Sequence, residues 1–349
     1  MLSHEVISFV AFLLLVAFML FIDLGVFHKD DHVVSAKEAG IWSCVWIGTA
    51  LLFSLVLYFW GDLIHNITSI SDLQAINQKY SHGLKIDESV GLAANIANYR
   101  HALSLEYLSG LLIEKSLSVD NIFVMILVFT SFNINRIYYH RVLFWGIITA
   151  VVLRFVFIFT CSAIIVRFEW VLALFGVVLI ISGVKMFFNK DDEQMDTDNH
   201  PMVKFASKHF SLLPGEHGHN FFVRQDGKLY ITALFLVLLV IEFTDIVFAV
   251  DSIPAIFAVT KDPFIVFFSN IFAILGLRSL FFLLDSVMNK FWFLHYGLSV
   301  LLTFIGIEML IDIVLGISVS TFVSLMVIIG ILVLSVSISL AFPQKEKGN

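Results

Sequence analysis

Charge is scarce in this chain. Asp, Glu, Lys and Arg make up 14% of its 349 residues, against about 25% in soluble domains. Cysteine is scarcer: the sequence holds only Cys44 and Cys161. Both lie in apolar stretches, which argues against a disulfide framework or a thiolate metal site and leaves packed thiols. No cleavable leader is expected either. Met1-Leu-Ser-His-Glu5 has no positive n-region, and no small-x-small site follows the first apolar run. The expectation is an uncleaved first span.

Hydrophobic residues fill the gap, at 59% of the chain with a mean hydropathy of +0.94. This composition is that of an all-α, polytopic membrane protein whose first partner is the lipid bilayer. The net charge of −7 says little about partners, since the placement of the acids matters more than their total; no nucleic acid partner is expected. A membrane helix needs about 20 mostly apolar residues. That ruler gives nine spans, at about 6–27, 41–60, 104–131, 141–165, 169–188, 230–259, 264–287, 292–315 and 318–342. We read 1–349 as one membrane domain. Its parts are the N-terminal spans 1–60, an extracytoplasmic segment 61–101, a first repeat 102–188, a cytoplasmic loop 189–228, a second repeat 229–316 and a last span with tail 317–349. The 61–101 segment is polar and mixed, and is expected on the membrane surface. Gln225-Asp226-Gly227-Lys228 reads as a hairpin turn.

Lys and Arg in the loops set orientation. With the N-terminus outside, inside segments carry Lys29, Lys37, Arg136, Arg141, Lys190, Lys204, Lys208, Arg224, Lys228, Lys290, Lys345 and Lys347. Outside segments carry Lys79, Lys85, Arg100, Arg167 and Lys261. The bias predicts an outside N-terminus and an inside C-terminus.

The charges that do enter apolar sequence are the informative ones. Glu242-Phe-Thr-Asp245-Ile-Val-Phe-Ala-Val-Asp251-Ser-Ile-Pro254 puts three carboxylates into a span. Each costs about 2.5–3.5 kcal/mol near a bilayer centre on insertion scales. A partial echo, Glu114-Lys-Ser-Leu-Ser-Val-Asp120-Asn121, lies upstream. Glu114 and Asp245 are 131 residues apart, as are Asp120 and Asp251. The following spans align Arg154 with Arg278 at an offset of 124, and Gly183-Val-Lys-Met186 with Gly306-Ile-Glu-Met309 at 123. Spans three to five and six to eight thus read as two copies of a three-helix unit. An odd number of helices inverts the second copy, as in many secondary transporters with a site at the repeat interface.

On an unbroken helix, residues six apart are separated by about 9 Å and about 120°. Glu114 and Asp120 then cannot share one ion. Either each helix breaks locally, which Pro254 and the Ser116, Ser118 and Thr244 hydroxyls would accommodate, or acids pair across the repeats. Crossing at midplane would bring Glu114 level with Asp251, and Asp120 level with Asp245. The acidic stretches hold no His or Cys, so their oxygen atoms suit a hard divalent cation. Carboxylates that lose such an ion take up protons, a physical route to proton-for-metal exchange. A structural network is the competing reading, with Lys115, Arg154 and Arg278 neutralising part of the cluster.

These acidic segments, with Asp23-Leu-Gly-Val in the first span and Leu-Gly-Leu-Arg278-Ser-Leu-Phe-Phe, resemble the TerC/Alx family of bacterial membrane proteins over nearly the whole chain. The long 61–101 segment is the departure. The resemblance implies a divalent-metal exporter of the bacterial inner membrane, with Mn²⁺ the expected cargo and kinship with the cation-efflux group that includes the lysine exporters. No tightly bound cofactor is expected. Glu114, Asp120, Glu242, Asp245 and Asp251 are the expected metal residues. Asp23, Lys115, Ser116, Asn121, Arg154, Thr244, Ser252, Asn270 and Arg278 are auxiliaries. Asp23 reads equally as a gate or an interfacial residue, and Asn270 as a ligand or a helix–helix hydrogen bond. Glu106 reads as structural, and His217 and His219 as exposed loop histidines. Gly176, Gly183, Gly297 and Gly306 read as close-packing positions. A non-transporting component of a metal or tellurite stress response is the alternative function. An intramembrane aspartyl protease lacks its Tyr-Asp and Gly-x-Gly-Asp signatures here.

Overall fold

The computed structural model describes residues 4–26, 35–80, 82–168, 170–188, 201–213, 218–225, 227–287, 293–317 and 319–342. Each predicted span is occupied by helix: α1 (His4–Val26), α2 (Ala36–Trp60), α4 (Gly91–Ser131), α5 (Tyr139–Arg167), α6 (Trp170–Phe188), α8 (Ala233–Phe257), α9 (Pro263–Ile274) with α10 (Leu277–Val287), α11 (Leu294–Leu315) and α12 (Thr321–Ala341). The fold is all-α and polytopic. A short α3 (Ile70–Tyr80) lies in the polar segment. A short α7 (Pro201–His209) and a small sheet precede α8. In that sheet β1 (Ser211–Leu212) pairs parallel to β3 (Lys228–Ile231), and β2 (Phe222–Gln225) pairs antiparallel to it. Gln225 faces Lys228 across the expected hairpin, and Asp226 lies outside the described residues.

Three expectations about the backbone change. The third span was expected to start near residue 104, but α4 runs for 41 residues from Gly91, about 60 Å at helical rise. A hydropathy ruler detects the apolar part of a helix, whereas nothing in 92–103 breaks helical backbone. The acid-bearing helices were offered a local break, yet α4 and α8 are both continuous. Pro254 sits in the last turn of α8, where it leaves the Val250 carbonyl without its i+4 donor but does not end the helix before Phe257. The break falls instead in the seventh span. There α9 and α10 meet at a 42° bend through Leu275 and the left-handed Gly276 at φ +81°. Only glycine fits: a Cβ at 276 would lie 2.6 Å from Trp46 Cβ. Asp262 opens α9 by accepting the Phe264 N–H at 2.9 Å, with Pro263 at the first helical position.

The repeat is visible in which helices touch. α4 packs on α9 and, correspondingly, α8 packs on α5; α4 also crosses α8, and α6 packs along α11. The α6–α11 contact shows the direction. A Cβ at Gly176 would meet the Gly306 carbonyl at 3.1 Å, and one at Gly183 the Ser299 carbonyl at 2.7 Å. Partners descend on one helix as they ascend on the other, so the two run antiparallel. Adding 123 to Gly176 and Gly183 gives Ser299 and Gly306, so the repeat exchanges the two contacts. These are the glycines expected to permit close approach.

Candidate functional site

Glu114 on α4 and Asp245 on α8 are counterparts in the two repeats. Both meet one guanidinium, Arg154 on α5. Arg154 donates through Nη2 to Asp245 Oδ1 at 3.0 Å, through Nη1 to Asn270 Oδ1 at 3.0 Å, and through Nη1 to Glu114 Oε1. Asn121 Nδ2 adds a 2.9 Å bond to Asp245 Oδ1. Each of these five side chains belongs to a buried residue. The planar fork of an arginine suits this sharing between two carboxylates and an amide. Glu114, Asp245 and the neighbouring Glu242 outnumber Arg154 and Lys115, whose charge reaches Glu114, so the centre is short of positive charge. Glu114 Oε2, Ser118 Oγ, Asn121 Oδ1 and Ser252 Oγ are buried without a hydrogen-bond partner among the described residues.

One turn before Asp245, Glu242 points into a small cavity with room for about one water-sized species. Gly146, Ala150, Ile147, Met125 and Arg154 are among its walls. Both Glu242 oxygens are buried without a well-formed hydrogen bond among the described residues, the Thr149 hydroxyl being the neighbour able to supply one. The repeat explains the space. Gly146 is the counterpart of Asn270 at the offset of 124. In the second repeat the amide fills that position and reaches Arg154. In the first, a bare glycine leaves room beside Glu242, with a hypothetical Cβ 3.8 Å from Oε1.

The other expected residues disperse. Asp120 lies beside His295 at 3.9 Å, and Asp251 accepts from Ser182 Oγ at 2.9 Å. Among the described residues no three His, Cys, Asp or Glu side chains are grouped closely enough to hold an ion. Ser116 and Thr244 return their hydroxyls to the carbonyls of Leu112 and Val240, four residues back on their own helices. Lys115 donates to the Leu275 carbonyl at 3.2 Å, where it caps the broken end of α9, and its charge still reaches Glu114. Arg278 is 1% exposed. The side chain of Asp23 and the whole of His217 lie outside the described residues, while His219 packs edge-on to Tyr138.

Sequence reading gave no role to His65, His82 or Asp262 and took Glu106 as structural. All four are paired at the end of the molecule that carries α3: His65 with Asp262, and His82 with Glu106. The Asp262-Pro263 helix-start signal was available, but nothing in sequence told which histidines met it.

Fold and site together define a polytopic membrane protein with a charged centre where two inverted repeats cross. The chain belongs to the integral membrane protein TerC family, whose model matches residues 99–347. It is 42% identical over 334 residues to the "Uncharacterized membrane protein STKORF319" of Myxococcus xanthus, covering 95% of this chain and 91% of that one. It is 42% identical over 326 residues to the "Putative membrane-bound redox modulator Alx" of Escherichia coli K12, covering 93% and 91%. A Rickettsia bellii membrane protein is 36% identical over 329 residues, covering 94% and 95%. No solved structure matches the chain.

Proposed function

We propose that this protein is a secondary transporter that exports a hard divalent cation, Mn²⁺ foremost, from the cytoplasm in exchange for protons. The proposal includes residence in the bacterial cytoplasmic membrane, with the N-terminus outside and the C-terminus inside. One observation carries it: repeat-equivalent acids, Glu114 and Asp245, converge on a buried crossing that holds more carboxylate than cation, with Glu242 facing a cavity alongside. A purely structural network gains little from Glu242, whose buried oxygens have at most the Thr149 hydroxyl as a partner. A divalent ion met by oxygen ligands matches that excess, and protons replace it when it leaves. Asp120 and Asp251, one and a half turns further along each acidic helix, extend the oxygen-lined route to either side of the crossing. Ser252, Asn121 and Asn270 supply neutral oxygens.

Mn²⁺ flux in sealed vesicles tests this. Asp120→Asn and Asp251→Asn should insert and fold yet abolish efflux, and Asp226→Asn in the hairpin turn should stay near wild type. Full-rate efflux from both aspartate variants would take Asp120 and Asp251 off the ion's route, and wild-type protein that moves no more Mn²⁺ than protein-free vesicles would overturn the transport reading. The printed name of the Alx relatives offers a redox reading instead. Its thiols here would be Cys44 and Cys161, both free. Replacing both with serine should leave flux intact under the transport reading and abolish function under the redox one.

A further inference from the structure

A second titratable cluster lies away from the central crossing, where the 61–101 segment meets the turn joining α8 to α9. His65 Nε2 is 2.9 Å from Asp262 Oδ2, and both side chains are wholly buried. His82 Nδ1 is 2.9 Å from Glu106 Oε1 and 3.1 Å from Oε2, again with buried side chains. The Thr260 hydroxyl donates to Glu106 Oε2 at 2.6 Å. Tyr80, from α3, stands between the imidazoles, with ring centroids 5.2 Å from His65 and 6.0 Å from His82. Tyr99, from α4, packs edge-on to His82 at 5.4 Å. The Arg100–Asp62 pair at 2.6 Å borders the cluster, and Lys79 covers the outer side of Tyr80. Phe264, from α9, closes the other face of His65.

The two pairs tie a polar connector to the end of the acid-bearing helix. Thr260 and Asp262 follow α8 within five residues of Phe257. Charge balance makes the tie conditional. With both imidazoles protonated, two cations face two carboxylates and the buried cluster is neutral. With both neutral, Glu106 and Asp262 remain buried with no cation between them, which is strongly unfavourable.

We propose that His65, His82, Glu106 and Asp262 form a proton-binding site that clamps the 61–90 segment over the end of α8, and that loss of its protons releases the clamp. Burial by itself pushes His82 down, but the adjoining Glu106 carboxylate outweighs it and holds the imidazole above its ordinary value. Burial pushes Asp262 up, but His65 and, further off, His82 outweigh it and hold the carboxyl below its ordinary value. A raised histidine contributes stability in full below its unfolded value and loses it as pH rises through the raised one. A lowered carboxyl contributes above its unfolded value and loses it as pH falls through the lowered one. The clamp therefore holds between those limits and loosens on the alkaline side of ordinary histidine titration. The inference stands on this geometry and does not depend on transport.

Thiol labelling of the purified full chain tests it, in a background with Cys44 and Cys161 changed to serine. Leu84→Cys, half-buried beside His82, reports opening; Ser89→Cys, exposed, corrects for thiolate ionisation. The ratio of the two rates should rise several-fold from about pH 6 to about pH 9. His82→Gln, which strands Glu106 without a cation, should give the high ratio throughout. Neutralising all four groups (His65→Gln, His82→Gln, Glu106→Gln, Asp262→Asn) should flatten the profile. A flat profile in the parent, or a His82→Gln profile that follows the parent's, overturns the proposal. So does a ratio that responds to added Zn²⁺ or Mn²⁺ and not to pH. If the fourfold variant does not fold, the parent and His82→Gln profiles still decide.

Discussion

Arg154 decides what the central acids are worth. Removing one partner of a buried ion pair leaves an uncompensated charge and is strongly destabilising, by about 3–5 kcal/mol. Arg154→Gln strands both Glu114 and Asp245, which are 1% and 5% exposed. It should therefore lower stability by about that amount, read by thermal unfolding in detergent. Glu242→Gln should change stability little, because the Thr149 hydroxyl is the most its buried oxygens can lose and the amide oxygen can still accept from it. A loss of stability for Glu242→Gln comparable to that for Arg154→Gln would show that Glu242 is bound into the fold. Sequence exposed these residues because a charge in an apolar span is costly wherever it points. It could not say which acids meet. Asp245 and Asp251 are separated by the same helical spacing as Glu114 and Asp120, yet one of each pair faces Arg154 and the other faces α6 or α11. That choice depends on helix rotation, which hydropathy does not encode. The histidines of the clamp were invisible for the reverse reason: in a polar segment a histidine costs nothing and attracts no notice.

At the scale of the element, one difference between the two repeats bears directly on the cavity. Asn270 on α9 supplies an amide oxygen to Arg154, and its counterpart Gly146 on α5 supplies nothing and leaves the cavity beside Glu242 open. Gly146→Asn should restore the missing symmetry. The amide would reach Glu242, satisfy a buried oxygen and fill the space, so the protein should remain folded with an unchanged or higher melting temperature. Under the proposed function its cation flux should fall to background. Full flux with a filled cavity would mean that the ion does not pass Glu242. The helices themselves were legible from hydropathy, and the position of Gly183 and Gly306 in matching motifs anticipated the close approach of α6 and α11. The bend between α9 and α10 was not legible. Leu-Gly-Leu inside an apolar run reads as a tolerated glycine, and only the packing of Trp46 against it and of Lys115 on the freed carbonyl requires the break.

For the whole molecule, inversion ties the topology to the site. α6 and α11 are counterparts, and they pack antiparallel through contacts that the repeat exchanges. Counterparts that run in opposite directions must enter the bilayer from opposite faces, so an odd number of crossings separates the start of one unit from the start of the next. The charge bias in the loops independently predicts an outside N-terminus. The segment around α3 then lies outside and the loop before α8 lies inside, with three crossings between them: α4, α5 and α6. Cysteines introduced at Ala75 and Gly215, in a background with Cys44 and Cys161 changed to serine, should label from opposite sides of intact cells. Gly215→Cys should react only after permeabilisation, and Ala75→Cys before it. Opposite-side labelling with the two sites reversed would keep the repeat and turn the protein over, placing the histidine clamp in the cytoplasm. Same-side labelling would break the odd count, and with it the inverted relation that brings Glu114 and Asp245 to one arginine.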